Sequence, residues 1–204
     1  MNPSTSSYRT AIAEYIAREA RPAEKFGHQP RLYALTRTIG HELEYDDDVV
    51  YAAAWLHDLG VFIGHRPEDP KLLGHWDHVQ YAVEKLPGVL SEAGFPTAKV
   101  PAVLDAIRTH QPKDEPTTIE ATILRDADIL EQLGAVGVLR AVSKVGKDTR
   151  FTTYTQAIGA LRRVLYELPA MLRLEVSRAL ARPRIAALDS FLRAVENEAG
   201  PSLF

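Results

Sequence analysis

"AAAWLHDLGVF", residues 52–62, is the stretch on which the reading of the chain turns. From Val49 to Leu56 every residue is apolar or small, and the run ends on two ionisable neighbours, His57 and Asp58. A helix that is apolar around most of its circumference belongs at the centre of a bundle. An ionised aspartate at the end of such a helix is costly in dry surroundings unless a cation or several donors compensate. Asp46, Asp47 and Asp48 open the segment, where carboxylates suit the positive end of the helix macrodipole. Gly60 stands where a left-handed C-terminal cap is expected.

Working outward, helical periodicity dominates on both sides. Ala11, Ile12, Tyr15, Ile16 and Ala20 predict a helix over 6–20, with Ser6 or Ser7 as N-cap and Pro22 as a stop. Leu32, Leu35, Ile39 and Leu43 predict another over 30–43, with Pro30 in its first turn. Residues 61–74 hold two prolines and two glycines and read as a loop. Residues 75–93 read as a helix with an interruption expected at Pro87, and Thr97 to His110 as another with Pro101 in its first turn. Thr117 or Thr118 starts a long apolar-periodic stretch to Val145, with breaks at Gly134 and Gly137. Residues 146–152 form a polar loop, and Tyr154 to Glu198 is helical with breaks near Pro169 and Pro183. No strand alternation or repeat competes with this pattern. The expected fold is all-α, a compact bundle of roughly seven to nine helices. Residues 1–204 read as a single domain, its motif-bearing core over 26–140 and a C-terminal helical extension over 150–198.

With 204 residues, 46% of them hydrophobic, the chain can bury a substantial core. It has no cysteine, which excludes disulfides, thiolate catalysis and Cys-ligated zinc. A net charge of −3 provides no general basic field, so nucleic acid is not expected as an obligate partner. The N-terminus lacks an apolar signal core, and no run approaches the roughly 18 residues of a membrane span. The expectation is a cytoplasmic protein with no membrane partner. The last helices are candidates for packing on the bundle or for a homodimer interface.

Seven histidines are present, at 28, 41, 57, 65, 75, 78 and 110. His28, His78 and His110 stand at ends of expected helices, and Asp126 lies inside the apolar run ILRDADILEQL. In helical bundles, metal ligands project inward from several helices. Imidazole with carboxylate makes a mixed site suited to Fe, Mn, Co, Ni or Zn. Asp58 is the candidate to bridge two ions. Asp128 reads as a second-sphere or capping residue. His41 and His65 read as surface residues, and Trp55 and Trp76 as packing. Arg66, Lys71 and Lys113 are candidates for phosphate contacts, though for each an ordinary solvated charge is the simpler reading.

Taken in order, these residues resemble the HD-domain metal-dependent phosphohydrolase superfamily. His28-Gln-Pro-Arg31 through Leu35 is similar to its early H-x-x-R-x-x-x-L, His57-Asp58 to its HD pair and Asp126 to its distant Asp. The stretch DADILEQLGAVGVLR is similar to D-A-D-x-L-D-x-x-G-A-x-G-x-x-R of a small bacterial subgroup, with Glu131 in place of an Asp. His78 through Ala82 matches its H-x-x-x-A element, and Ala106-Ile107 through His110 its A-I-x-x-H element. The resemblance implies His28, His57, Asp58 and Asp126 as ligands of one divalent transition metal. It implies His78 and His110 as ligands of a second, bridged by Asp58. His75 competes with His78, and the spacing to Ala82 favours His78. Where only one ion binds, His78 and His110 are instead phosphate contacts or proton carriers, so Asp58, His78 and His110 are the catalytic candidates. Some nucleotidase members carry a water-orienting Glu soon after the HD pair; LGVFIG offers none, so that mechanism is not carried over.

The implied activity is hydrolysis of a nucleotide or other small phosphoester by a metal-activated water. Two alternatives stand beside it. One is a di-iron oxygenase of the same superfamily, cleaving a phosphonate or an inositol-like substrate. The other is a non-catalytic HD scaffold that binds a nucleotide and signals through a partner.

Overall fold

A computed structural model describes residues 3–146, 151–200 and 203. Among them run ten α-helices: α1 (Pro3–Glu19), α2 (His28–Ile39), α3 (Asp47–Leu56), α4 (Pro70–Leu73), α5 (His78–Glu92), α6 (Val100–Arg108), α7 (Ile119–Gln132), α8 (Gly134–Val142), α9 (Tyr154–Glu167) and α10 (Glu175–Ala199). No strand occurs among the described residues, only an isolated bridge between Ile63 and Arg66. The all-α expectation holds; nine of the helices run nine residues or more, and α4 is a single turn. Met1–Arg125 and Asp126–Phe204 form two compact units, and the boundary falls inside α7.

In the first unit α3 packs against α1, α2 and α6, and α5 packs on α6. All eight residues from Val49 to Leu56 are buried, as an all-round apolar helix requires. Each large aliphatic side chain buried this way contributes about 1.5–3 kcal/mol. The helix starts where it does because the Asp46 carboxylate accepts the N–H groups of Asp48 and Val49. Thr118 does the same for α7 through the N–H of Ala121.

The aspartates at the head of α3 also fasten it to its neighbours. Arg9 of α1 reaches Asp47 at 2.8 Å and Asp48 at 2.6 Å, and lies over the Tyr51 ring. Lys99 reaches Asp46 and Asp48, each at 2.8 Å. Burial pushes the Asp48 carboxyl up, but hydrogen bonds from Lys99 and Arg9 outweigh it and bring it down to about 2.

The second unit packs α8, α9 and α10 on one another around Leu161, Ala181, Leu188 and Leu192. It also explains the glycines of the DADILEQLGAVGVLR stretch. Gly134, at φ +77°, turns the chain between α7 and α8 in a conformation that disfavours a side chain. At Gly137 a Cβ would lie 2.0 Å from the Gln132 carbonyl oxygen. Glu131, the departure from the family pattern, is buried and faces Arg140 at 3.6 Å.

Several expectations need correction. Helix α1 begins at Pro3, so Ser7 lies within it rather than capping it; the Ser6 side chain lies outside what the structure describes. Gly60 does not cap α3: the helix ends at Leu56 with His57 in right-handed geometry, and Gly60 sits in a 3-10 turn, Leu59–Val61. Helix α5 passes through Pro87 and α10 through Pro183 without a break. Buried Leu86 and Leu90, and Ala181 and Leu188, flank those prolines, so packing overrides propensity there. The chain does break at Pro169, in a 3-10 turn, Leu168–Met171. Of the expected 146–152 loop, residues 147–150 lie outside the described residues.

Replacing Asp48 by Asn is expected to lower stability at pH 7 by about 1–2 kcal/mol, since charge-assisted hydrogen bonds are lost at a partly exposed site. Because the folded carboxyl titrates below its ordinary 3.8, its contribution is complete above that value and is lost as pH falls towards about 2. The gap between wild type and Asp48→Asn in urea unfolding should therefore be constant from pH 7 to about 5 and shrink below pH 4. A gap that widens on acidification contradicts the assignment.

Candidate metal centre

His28 opens α2, with its ring buried at 5% exposure. His57 follows the last residue of α3 and is 1% exposed. Asp58 comes next, before the 3-10 turn, with its side chain 22% exposed. His78 opens α5 behind the Asp77 cap, whose carboxylate accepts the N–H groups of Val79 and Gln80. His110 follows α6 and is buried. Five residues from four helix ends of the first unit thus meet, and they form two groups that share Asp58: His28, His57 and Asp58; and Asp58, His78 and His110. The ligand atoms within each group lie within 4.8 Å of one another.

Local hydrogen bonds decide what these rings present. The Nδ1–H of His57 donates to the Ala54 carbonyl at 3.1 Å, and that of His110 to the Ile107 carbonyl at 2.6 Å. With Nδ1 protonated, a neutral imidazole has its lone pair on Nε2. The two Nε2 atoms of His28 and His57 stand 3.4 Å apart, His28 Nε2 lies 3.7 Å from Asp58 Oδ2, and His57 Nε2 lies 3.6 Å from Asp58 Oδ1. Bonds of about 2.0–2.2 Å to one ion, at angles of roughly 90–120°, put its ligand atoms roughly 2.8–3.8 Å apart. Separation and donor chemistry both fit a divalent transition metal. The His57 and His110 rings meet edge-on with centroids 5.0 Å apart, and those of His78 and His110 at 6.1 Å.

His75 is exposed, and His78, three residues on, is the one grouped with Asp58 and His110. Asp126 belongs to the second unit, where it is buried. There its carboxylate accepts the backbone N–H of Arg173 at 3.1 Å and of Leu174 at 2.9 Å. Asp128 accepts a hydrogen bond from Gln132, one turn on. Trp55 is buried packing and His41 is exposed. His65 corrects the surface reading. Its ring joins Glu19 of α1, at 3.1 Å, to the Tyr81 hydroxyl of α5, at 2.9 Å. Sequence reasoning also missed Gly60, where an added Cβ would lie 2.5 Å from the His78 carbonyl oxygen, and the 2.8 Å hydrogen bond from Trp76 Nε1–H to the Gly60 carbonyl. The one available signal was the G of LHDLG, which the helix-cap rule misassigned.

Comparison with known proteins gives the family and the fold. Residues 26–133, just over half of the chain, match the HD domain family, and the protein belongs to that family. Its fold is similar to that of YpgQ from Bacillus subtilis. The YpgQ structure in complex with ADP is 23% identical, with a TM-score of 0.74 over 97% of this chain and 98% of that one. A second YpgQ structure is 22% identical, with a TM-score of 0.76 over 98% and 99%. A predicted HD superfamily hydrolase from an uncultured Thermotogales bacterium is 24% identical, with a TM-score of 0.62 over 96% and 92%. At these identities the likeness is one of fold. No helix among the described residues is long and apolar enough to cross a membrane.

A cation that binds only the folded chain stabilises it by about 2.7 kcal/mol at a hundred times its dissociation constant. Chelation is therefore expected to lower the melting temperature of metal-loaded protein by about 5–10 °C, followed by calorimetry. An unchanged melting temperature means that the clustered histidines hold no ion.

Proposed function

We propose that the protein is a metal-dependent phosphohydrolase that cleaves a nucleotide or another small phosphoester in the cytoplasm. The observation that carries this reading is the pair of overlapping donor groups joined at Asp58. Membership of the HD domain family supports it. The ADP complex of YpgQ supports a nucleotide as the substrate class.

A divalent cation, when bound, supplies an activated water and positive charge beside the phosphoryl group. The protein's own groups do the rest. Asp58, with one oxygen towards His28 and the other towards His57, is the shared ligand and the charge that holds cations in a largely buried site. His57 and His110 keep their Nδ1–H on backbone carbonyls, so each offers Nε2 as a ligand. That commitment makes His110 a poor proton donor at Nε2. His78, only partly buried, is the better group to protonate a leaving alkoxide when a single cation is bound. Asp126 enters as the fourth ligand of the first cation from the family pattern alone.

The test is phosphate release from nucleotides, phosphomonoesters and phosphodiesters by protein stripped of metal and reloaded with Mn, Fe, Co, Ni or Zn. Asp58→Ala is expected to lower kcat/KM by more than about 100-fold, beyond the range seen when a ligand's outer partner is lost. Undiminished hydrolysis by that variant contradicts the reading. Oxygen uptake with a mixed-valent iron signal, in place of phosphate release, transfers the site to di-iron oxygenase chemistry.

A further inference from the structure

The two donor groups are not built alike. The first comes from the start of α2 and the end of α3, which pack directly on each other. The second needs His78, which stands 20 residues beyond Asp58 across an exposed loop that includes α4. What returns His78 to Asp58 is a contact between backbones. Gly60, two residues after Asp58, faces the first residue of α5 so closely that a Cβ on it would lie 2.5 Å from the His78 carbonyl oxygen and 2.8 Å from its Cα. The same glycine's carbonyl accepts Trp76 Nε1–H at 2.8 Å, which holds the chain just before α5 against the turn. One turn into α5, Tyr81 is held by His65, and His65 by Glu19 of α1.

We infer that Gly60 is a positioning residue for the second cation: its missing side chain sets the approach of His78 to Asp58, and Trp76 keeps that approach closed. This rests on the reading that both groups bind cations. A β-carbon at residue 60 would meet backbone, which cannot swing aside as a side-chain tip can. Restoring an ordinary carbon–carbon contact of about 3.5–4.0 Å moves the start of α5 by on the order of 1 Å. A ligand set tolerates about 0.5 Å. The displacement therefore exceeds the tolerance of the second group. The three nearest atoms all belong to His78 at the start of α5, so the displacement falls first on the second group.

The experiment is calorimetric and visible-absorption titration of metal-free, full-length protein with Co²⁺ alone. Wild type is expected to take up two ions per chain. Gly60→Ala and Trp76→Phe should each keep one at wild-type affinity and bind the second about 10–100-fold more weakly, the range for loss of a partner outside the ligand shell. The absorption of the first site should be unchanged. Wild-type affinity for both ions in the two variants overturns the inference, and so does equal weakening of both ions, which marks general loosening. If Gly60→Ala fails to fold, Trp76→Phe decides, because it adds no atoms and removes the hydrogen bond while keeping an aromatic ring beside Tyr81. A wild type that binds fewer than two ions overturns the two-cation reading and this inference with it.

Discussion

Two buried imidazoles, His57 and His110, each donate Nδ1–H to a carbonyl three residues earlier, Ala54 and Ile107. That local bond fixes which nitrogen carries the lone pair, and both rings belong to the donor groups that meet at Asp58. Each ring follows the end of a helix, where orphan carbonyls are available to accept the hydrogen bond. Helix ends therefore orient these two rings through backbone carbonyls. Asp58 then supplies the negative charge that lone pairs alone lack.

The burial that makes such a site costly also makes it rigid. Helix α3 gives all eight residues from Val49 to Leu56 to the core, and the Arg9 and Lys99 pairs hold its opposite end. His57 and Asp58 thus leave a helix fixed along its length and at its head. The 61–77 loop is exposed over much of its length, yet it is tied near both of its ends, by His65 to Glu19 and Tyr81 and by Trp76 to Gly60. The second donor group depends on those ties more than the first does.

Much of this was legible in the sequence because it is local or periodic. The apolar run before His57, the aspartates before Val49 and the helical spacings each follow from one segment. The ordered histidines and aspartates pointed to an HD-type arrangement, and the family match agrees. What escaped depends on partners far apart in the chain. Gly60 reads as a helix cap from its neighbours, but its role comes from His78, 18 residues on. His65 reads as a surface residue until Glu19 and Tyr81 close on it from two other helices. Pro87 and Pro183 read as breaks because propensity takes no account of the buried residues that flank them. Glu131 in place of Asp reads as a departure; its longer side chain is buried and faces Arg140 within the second unit.

The central proposal is that two cations share the Asp58 carboxylate, with His28 and His57 as further ligands of one and His78 and His110 of the other. Anomalous X-ray scattering from crystals loaded with Mn²⁺ or Co²⁺ tests it most directly. The account predicts two anomalous peaks, one bonded to His28, His57 and Asp58 and the other to Asp58, His78 and His110, at about 2.0–2.3 Å from the donors. Peaks located elsewhere, or none in metal-loaded crystals, contradict it.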